Sequence, residues 1–338
     1  MTSDQTLERG KVTILMPTFE REGMIGEAIE SARHQTFEDF VLLIGDNSEN
    51  DRTEELVAAI DDPRIRYHRN RPGLGPMGNW CDLVKRAETE FIATLHDDDS
   101  WHPDYLQTAI PPMVADSEIA MVYNDFWMMD KDSKRLVELT DRESARTGRA
   151  SRDRGSFTYD RDEGVRLVAV ENAPQPAYAA VVRTDLTQAI TFPTDIEPLY
   201  DVWLTYALTQ AGHKLYYLND RLTNYRVHAA SDSSVSPQFA KAENAFFEHV
   251  INDNADLPET VTEVRQYWAW LRWARATKLM HDTSTRKRSQ QEFSAAAKDL
   301  AHPAKRMAAL GAAKLGPVWH GLRLARRVKQ REPSHRVA

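Results

Sequence analysis

The sequence is nearly without cysteine. Its 338 residues hold one, Cys81, so no intrachain disulfide framework can form, and a reducing compartment fits. No uninterrupted apolar run reaches the roughly 20 residues that span a bilayer. No apolar signal region precedes Lys11. An excess of positive charge is lacking too: the formal net charge is −8, which argues against a general nucleic-acid binder. No internal repeat or low-complexity tract is present. What is there is ordinary for a globular protein. With 41% hydrophobic residues, the chain can build one large α/β core with an appendage, or two modest domains. The expectation is a cytoplasmic protein, with peripheral contact at the inner face of a membrane left open.

The first third alternates strand-like and helix-like segments. Val12–Pro17 is a short apolar run, a buried strand. Ile25, Ala28, Ile29 and Ala32 form one helical stripe. Phe40–Gly45 is a second strand, followed by a helix over Thr53–Ile60 with Asp51 as its N-cap. Ile65–Arg69, a helix over Met77–Ala87, and Phe91–Leu95 complete a β-α-β-α-β-α-β order. That order implies a parallel sheet with helices on both faces. Ligands bind such sheets at the carboxyl ends of the strands, where Asp46, Arg69 to Arg71 and Asp97 to Asp99 all fall. Further on, Ala120–Asn124 reads as a strand and Phe126–Leu139 as a hairpin. Thr140–Glu163, charged and without periodicity, reads as a long mobile loop. Ala177–Arg183 is a strand and Asp201–Gln210 a helix; Lys214–Asn219 and Leu222–Val227 are two strands. From Pro237 the pattern is helical, and after Pro303 it turns basic.

Three constellations carry chemistry. In His96-Asp97-Asp98-Asp99-Ser100-Trp101, three carboxylates crowd the end of an apolar strand. Their repulsion costs energy unless a cation offsets it, and such oxygen ligands suit Mg²⁺ or Mn²⁺. An Asp-rich turn with Asp99-Ser100 capping a helix near Pro103 is the plainer alternative. Pro17-Thr18-Phe19-Glu20 ends the first strand and offers an aromatic shelf for a flat base, or an ordinary βα loop. Ile44-Gly45-Asp46-Asn47-Ser48 offers a carboxylate to a base N–H or ribose hydroxyl, or an Asx-type turn.

The ordered series Val12-Thr-Ile-Leu-Met-Pro17-Thr-Phe19, Gln35-Thr-Phe37, Gly45-Asp46-Asn-Ser48 and Phe91-Ile-Ala-Thr-Leu-His96-Asp-Asp-Asp99-Ser-Trp101-His-Pro103 resembles the family 2 glycosyltransferases of GT-A fold. Tyr200-Asp201-Val-Trp203 and Tyr225-Arg226-Val-His228 resemble two later, shorter motifs of that family. The resemblance implies inverting transfer of a sugar from a nucleotide-diphosphate donor, a UDP- or dTDP-sugar, to a saccharide or lipid-linked acceptor in polysaccharide or glycoconjugate synthesis. It implies Asp201 as general base, with an N-cap of the following helix as the plainer role, and Asp98 as ligand of a Mn²⁺ or Mg²⁺ ion. Which of Asp97, Asp98 and Asp99 bind the metal stays open, and His228, on a late loop that could fold back, is a further candidate ligand for metal or phosphate. The resemblance also implies Asp46 as a nucleobase contact and Asp97 as a ribose or metal contact. Beside it, the strand exits offer Pro17, Thr18, Phe19 and Glu20, and Arg71 and Asn79, as donor contacts, with an ordinary βα loop, a solvated loop and a helix N-cap neighbour as the plainer alternatives. The sequence departs from the family pattern twice: His96 stands where an acidic residue is usual, and Tyr200 where a Glu often precedes the base.

One base is enough for an inverting displacement, because a divalent metal can stabilise the leaving diphosphate where a glycosidase needs a second carboxyl. Gly73-Leu-Gly75-Pro-Met-Gly78 also matches the dinucleotide fingerprint G-x-G-x-x-G, with Asp97 about 20 residues on, so an NAD-dependent oxidoreductase is the alternative. Against it, the fingerprint normally follows the first strand, and Pro76 removes a backbone donor. A non-catalytic sugar-nucleotide binder is a further alternative. The expected architecture is a GT-A-like catalytic domain over 1–235 and a helical region with a basic tail over 236–338; the tail invites contact with anionic lipid, though Gly311, Gly316 and Pro317 break its helical pattern.

Overall fold

The run Val12–Thr18, strand β1, has no polar face: Val12, Ile14, Leu15 and Met16 are all completely buried. Continuous burial is what a central parallel strand covered on both sides demands. The computed structural model describes residues 11–174, 179–227, 236–280 and 284–300. They fall into two compact units, one running to position 232 and taking in Lys241–Phe246, the other made of the remaining described residues.

The first unit begins as the sequence implies. β1, β2 (Phe40–Asp46), β3 (Ile65–Arg69) and β4 (Phe91–Thr94) are parallel, connected by α1 (Ile25–Arg33), α2 (Arg52–Ala58) and α3 (Gly75–Arg86). The predicted stripe of α1, Ile25, Ala28, Ile29 and Ala32, is its buried face. The register sets Thr18 beside Asp46, and Asp46 beside Arg69, so three strand exits share one edge. Next come β5 (Ser100–Trp101), α4 (Tyr105–Ala115), β6 (Ile119–Met129), α5 (Val137–Arg146), β7 (Gly155–Thr158), α6 (Arg161–Arg166), β8 (Ala180–Arg183), α7 (Thr184–Ala189), α8 (Tyr200–Gln210) and β9 (Lys214–Arg226). The sheet order is β3-β2-β1-β4-β8-β6-β9-β5, with β7 also on β9. β8 runs antiparallel to β4 and β6, so the sheet becomes mixed beyond β4.

The second unit is helical among its described residues. α9 (Pro237–Asp253) starts with the Ser236 hydroxyl accepting from Phe239 N–H at 3.0 Å. α10 (Pro258–Leu279) and α11 (Arg286–Asp299) bury Ala269, Ala276, Met280, Phe293, Ala296 and Ala297 in a common core. No described helix is long and apolar enough to cross a membrane.

Several local expectations are corrected. Phe126–Leu139 is no hairpin: β6 runs on to Met129, a tight turn closes with Asp130 N–H on Lys134 O, and α5 begins at Val137. Thr140–Glu163 is not a loop, because it holds most of α5, all of β7 and the start of α6. Its missed signal is Asp160-x-x-Glu163, a reciprocal capping box at the head of α6. The two late strands are one, β9, whose irregular register opposite Asn124 to Phe126 absorbs the residues that read as a break. Asp51 makes no cap bond; Arg69 and Arg71 take its carboxylate. Ser100 caps no helix either, since Ser100–Trp101 pairs with β9. Ala177 and Tyr178, read as the start of a strand, and the basic tail after Pro303 lie outside the described residues.

Candidate active site

The acidic run leaves β4 and is clamped at both ends. Leu95 N–H still donates to Leu15 O, and Asp99 N–H closes a turn on His96 O at 3.2 Å. Ser100 and Trp101 then pair with Asn224 and Thr223 of β9. The main clamp is Arg226, at the end of β9 and 2% exposed. Its backbone N–H donates to Asp99 Oδ1 at 2.8 Å and its Nε to the Asp98 carbonyl at 2.6 Å. The rest of its guanidinium reaches Asp130 O, Ser133 Oγ and Glu27 Oε2.

Each member of the run has a different environment. Asp97 accepts from Thr18 Oγ1 at 2.6 Å and from the Phe19 N–H. Burial pushes its pKa up to about 6, helped by the Asp98 charge and opposed by the Thr18 bond and Arg21. Asp98 is half-buried. Asp99 is buried, and its Oδ2 has no hydrogen-bond partner. Burial and the neighbouring Asp98 charge hold its carboxyl well above the ordinary range. His96 Nε2 lies 3.1 Å from the Tyr200 hydroxyl, and burial pushes the imidazole down, toward the neutral form. One ligand atom each from His96, Asp98 and Asp99 lie within 4.8 Å of one another. Crowded carboxylates, one with an unsatisfied buried oxygen, fit a divalent cation, which would offset the repulsion and complete that oxygen.

Asp201 stands in the first turn of α8, accepting from the Val202 N–H, and burial raises its pKa to about 6. Its neighbour Tyr200 stacks on Trp80, with ring centroids 4.8 Å apart, while Trp80 Nε1 donates to Thr94 Oγ1 at 2.9 Å. Tyr200 thus joins the head of α8 to the end of β4 and to the acidic run.

The exits of β1 and β2 are also joined. Pro17 lies beside Gly45 in the register. Phe19 is 57% exposed, and Glu20, in left-handed backbone, donates its N–H to Ser48 Oγ at 2.8 Å. Asp46 is completely buried, with Ser48 N–H on Oδ1 and the Tyr67 hydroxyl on Oδ2, both at 2.7 Å. It therefore closes the Asx-type turn that the sequence left as an alternative. Arg71 is exposed and bonds Asp51. Asn79 is buried in the framework, donating to Gly45 O at 2.7 Å and accepting from Asn70 at 3.0 Å. Gly45 is required here, because a Cβ would overlap Asn79 Oδ1. Thr18 and Asp97 meet directly, whereas Arg71 and Asn79 are engaged elsewhere; His228 lies outside the described residues. Sequence reasoning missed Tyr67, Asn70, Trp80 and the clamping role of Arg226, which are visible only once strands distant in sequence are adjacent.

The glycine-rich segment is not a phosphate cradle. At the head of α3, Met77 N–H faces Glu197 Oε1 at 3.3 Å, and Asn47 Nδ2 donates to Gly75 O at 3.0 Å. A Cβ on Gly75 would lie 2.7 Å from that same Glu197 oxygen. A carboxylate of the protein already occupies the place a diphosphate would need.

Residues 13–166 match the family described as Glycosyl transferase family 2. A β-1,3-glucosyltransferase of Campylobacter jejuni, named for its GalNAc(5)-diNAcBac-PP-undecaprenol substrate, is 35% identical over 92 residues, 26% of this chain and 30% of that protein. The Escherichia coli UDP-Glc:α-D-GlcNAc-diphosphoundecaprenol β-1,3-glucosyltransferase WfgD is 30% identical over 122 residues, 36% of this chain and 48% of its own. The chain thus spans less than half the length of these two relatives. The crystal structure of Staphylococcus aureus TarS 1–349 with UDP-GlcNAc superposes with a TM-score of 0.63 at 14% identity, covering 93% of this chain and 87% of that one. Sheet, acidic run and neighbours define an α/β fold of GT-A type. Over residues 13–166 the chain is similar to family 2 of the glycosyltransferases.

Proposed function

We propose that this protein is an inverting glycosyltransferase that moves a sugar from a UDP- or dTDP-sugar to an acceptor hydroxyl, with 1–235 as catalytic domain. The observation that carries the proposal is one connected constellation. Asp201 heads α8, its neighbour Tyr200 bonds His96, and His96 opens the run that continues through Asp97 to Asp99. In the reaction the acceptor oxygen attacks the anomeric carbon as Asp201 takes its proton, and the bond from that carbon to the diphosphate breaks. A carboxylate raised to about 6 is still ionised at neutral pH and is a stronger base than an ordinary Asp. Asp98 and Asp99 would hold a Mn²⁺ or Mg²⁺ ion, which stabilises the charge of a leaving diphosphate when bound. Asp97, held by Thr18 and Phe19, meets the donor's ribose side, and the loops after Pro17 and Asp46 form the shelf for the base.

The named substrates of the two glucosyltransferases support a lipid-linked saccharide acceptor and a role in glycan assembly. The test is Asp201→Asn. It is expected to lower transfer by about 10²-fold or more while nucleotide binding stays within about twofold. Retained transfer would remove Asp201 as base; lost transfer with lost binding would point to a structural role instead.

A further inference from the structure

The two positions at which the sequence departs from its family's pattern, His96 and Tyr200, are in contact. They are 104 residues apart in the chain and 3.1 Å apart in the fold, imidazole Nε2 to phenol oxygen. Tyr200 is itself fixed. It is buried, stacks on Trp80, and stands at the start of α8. The bond therefore orients the imidazole from a rigid point. An imidazole has two nitrogens, and a bond to one fixes what the other can offer. Here a ring nitrogen lies within 4.8 Å of carboxylate oxygens of both Asp98 and Asp99. A second observation points to a ligand at the same place: Asp99 Oδ2 is buried without any hydrogen-bond partner.

We infer that His96 is itself a metal ligand, binding through the ring nitrogen that Tyr200 leaves open, and that Tyr200 is the positioning residue that aims it. The substitution of an imidazole for a carboxylate gives a mixed nitrogen and oxygen donor set with one negative charge fewer. Such a set favours Mn²⁺ and later transition ions over Mg²⁺, which prefers oxygen alone. The pairing with Tyr200 follows the rule that a ligating histidine has its other nitrogen hydrogen-bonded.

This inference rests on the metal-dependent reading above, and the test separates the two. The full chain is loaded with Mn²⁺ and UDP, and nitrogen hyperfine coupling to the metal is read by pulsed electron paramagnetic resonance. The wild type is expected to show imidazole coupling. His96→Asp, which restores a carboxylate, is expected to keep Mn²⁺ while losing the coupling, and to lose preference for Mn²⁺ over Mg²⁺. Tyr200→Phe keeps the ring stack and removes only the hydroxyl; it is expected to weaken Mn²⁺ about tenfold with an unchanged melting temperature. Bound Mn²⁺ without nitrogen coupling in the wild type, or coupling that survives His96→Asp, would overturn the role of His96 alone. Tyr200→Phe with wild-type affinity and coupling would overturn the positioning role. Failure of the wild type to bind Mn²⁺ at all would overturn the metal-dependent reading, and this inference with it.

Discussion

Asp97 and Asp201 are both carboxyls that burial holds near pH 6, and the sign of that shift has two consequences. The native state binds their protons more tightly than an unfolded chain does. Their stabilising contribution is therefore full below the ordinary value of 3.8 and lost as pH rises through about 6. At neutral pH each is a buried charge that costs stability in the absence of ligand. Asp97→Asn, which keeps an acceptor for Thr18 or Phe19, is expected to stabilise the metal-free protein at pH 7 by about 1–3 kcal/mol while weakening nucleotide binding. Denaturant titration at pH 7 checks this; a destabilised Asp97→Asn would contradict it. The same shift on Asp201 predicts that transfer falls tenfold per pH unit below about 6. A rate that stays flat down to pH 5 would separate Asp201 from the proton transfer.

At the scale of elements, Arg226 binds the end of β9 to the acidic run, to α1 and to the turn after β6. A lysine has no planar fork to reach these partners together. Arg226→Lys is expected to cost about 2–4 kcal/mol of stability and to weaken Mn²⁺ binding by loosening the acidic run. Unchanged metal affinity in a folded Arg226→Lys protein would contradict the clamp. The first four strands and their helices were legible because each buried element carries its own period: the unbroken run of β1, the stripe of α1. The acidic run was legible for the same local reason, three carboxylates directly after a strand. The chain beyond β4 was harder to read. α5 is held by pairs far apart in sequence, Ser144 with Asp125 and Asp141 with Arg221, and β7 by pairing with β9, and charge without periodicity reads as loop. Asp46 was legible as a candidate at a strand end, but its partner Tyr67 comes from the next strand, and no spacing rule announces it. Arg71 follows β3 and Asn79 lies within α3, and their side chains turn to Asp51 and Gly45.

For the whole molecule, the proposed function predicts that donor and metal bind together and only to the folded protein. Ligand at about 100 times its dissociation constant adds about 2.7 kcal/mol of stability, a rise in melting temperature of roughly 5–10 °C for a unit of this size. UDP and Mn²⁺ together are expected to give that rise. The glycine-rich segment predicts no response to NAD, because Glu197 already caps α3. The proposed metal-dependent donor site is tested most directly by a calorimetric panel of UDP, dTDP, GDP and NAD, each with and without Mn²⁺. UDP or dTDP is expected to bind, Mn²⁺ to strengthen that binding, and Asp98→Asn to remove the Mn²⁺ effect. Tight binding of NAD without metal, or nucleotide binding indifferent to both Mn²⁺ and Asp98, would contradict it.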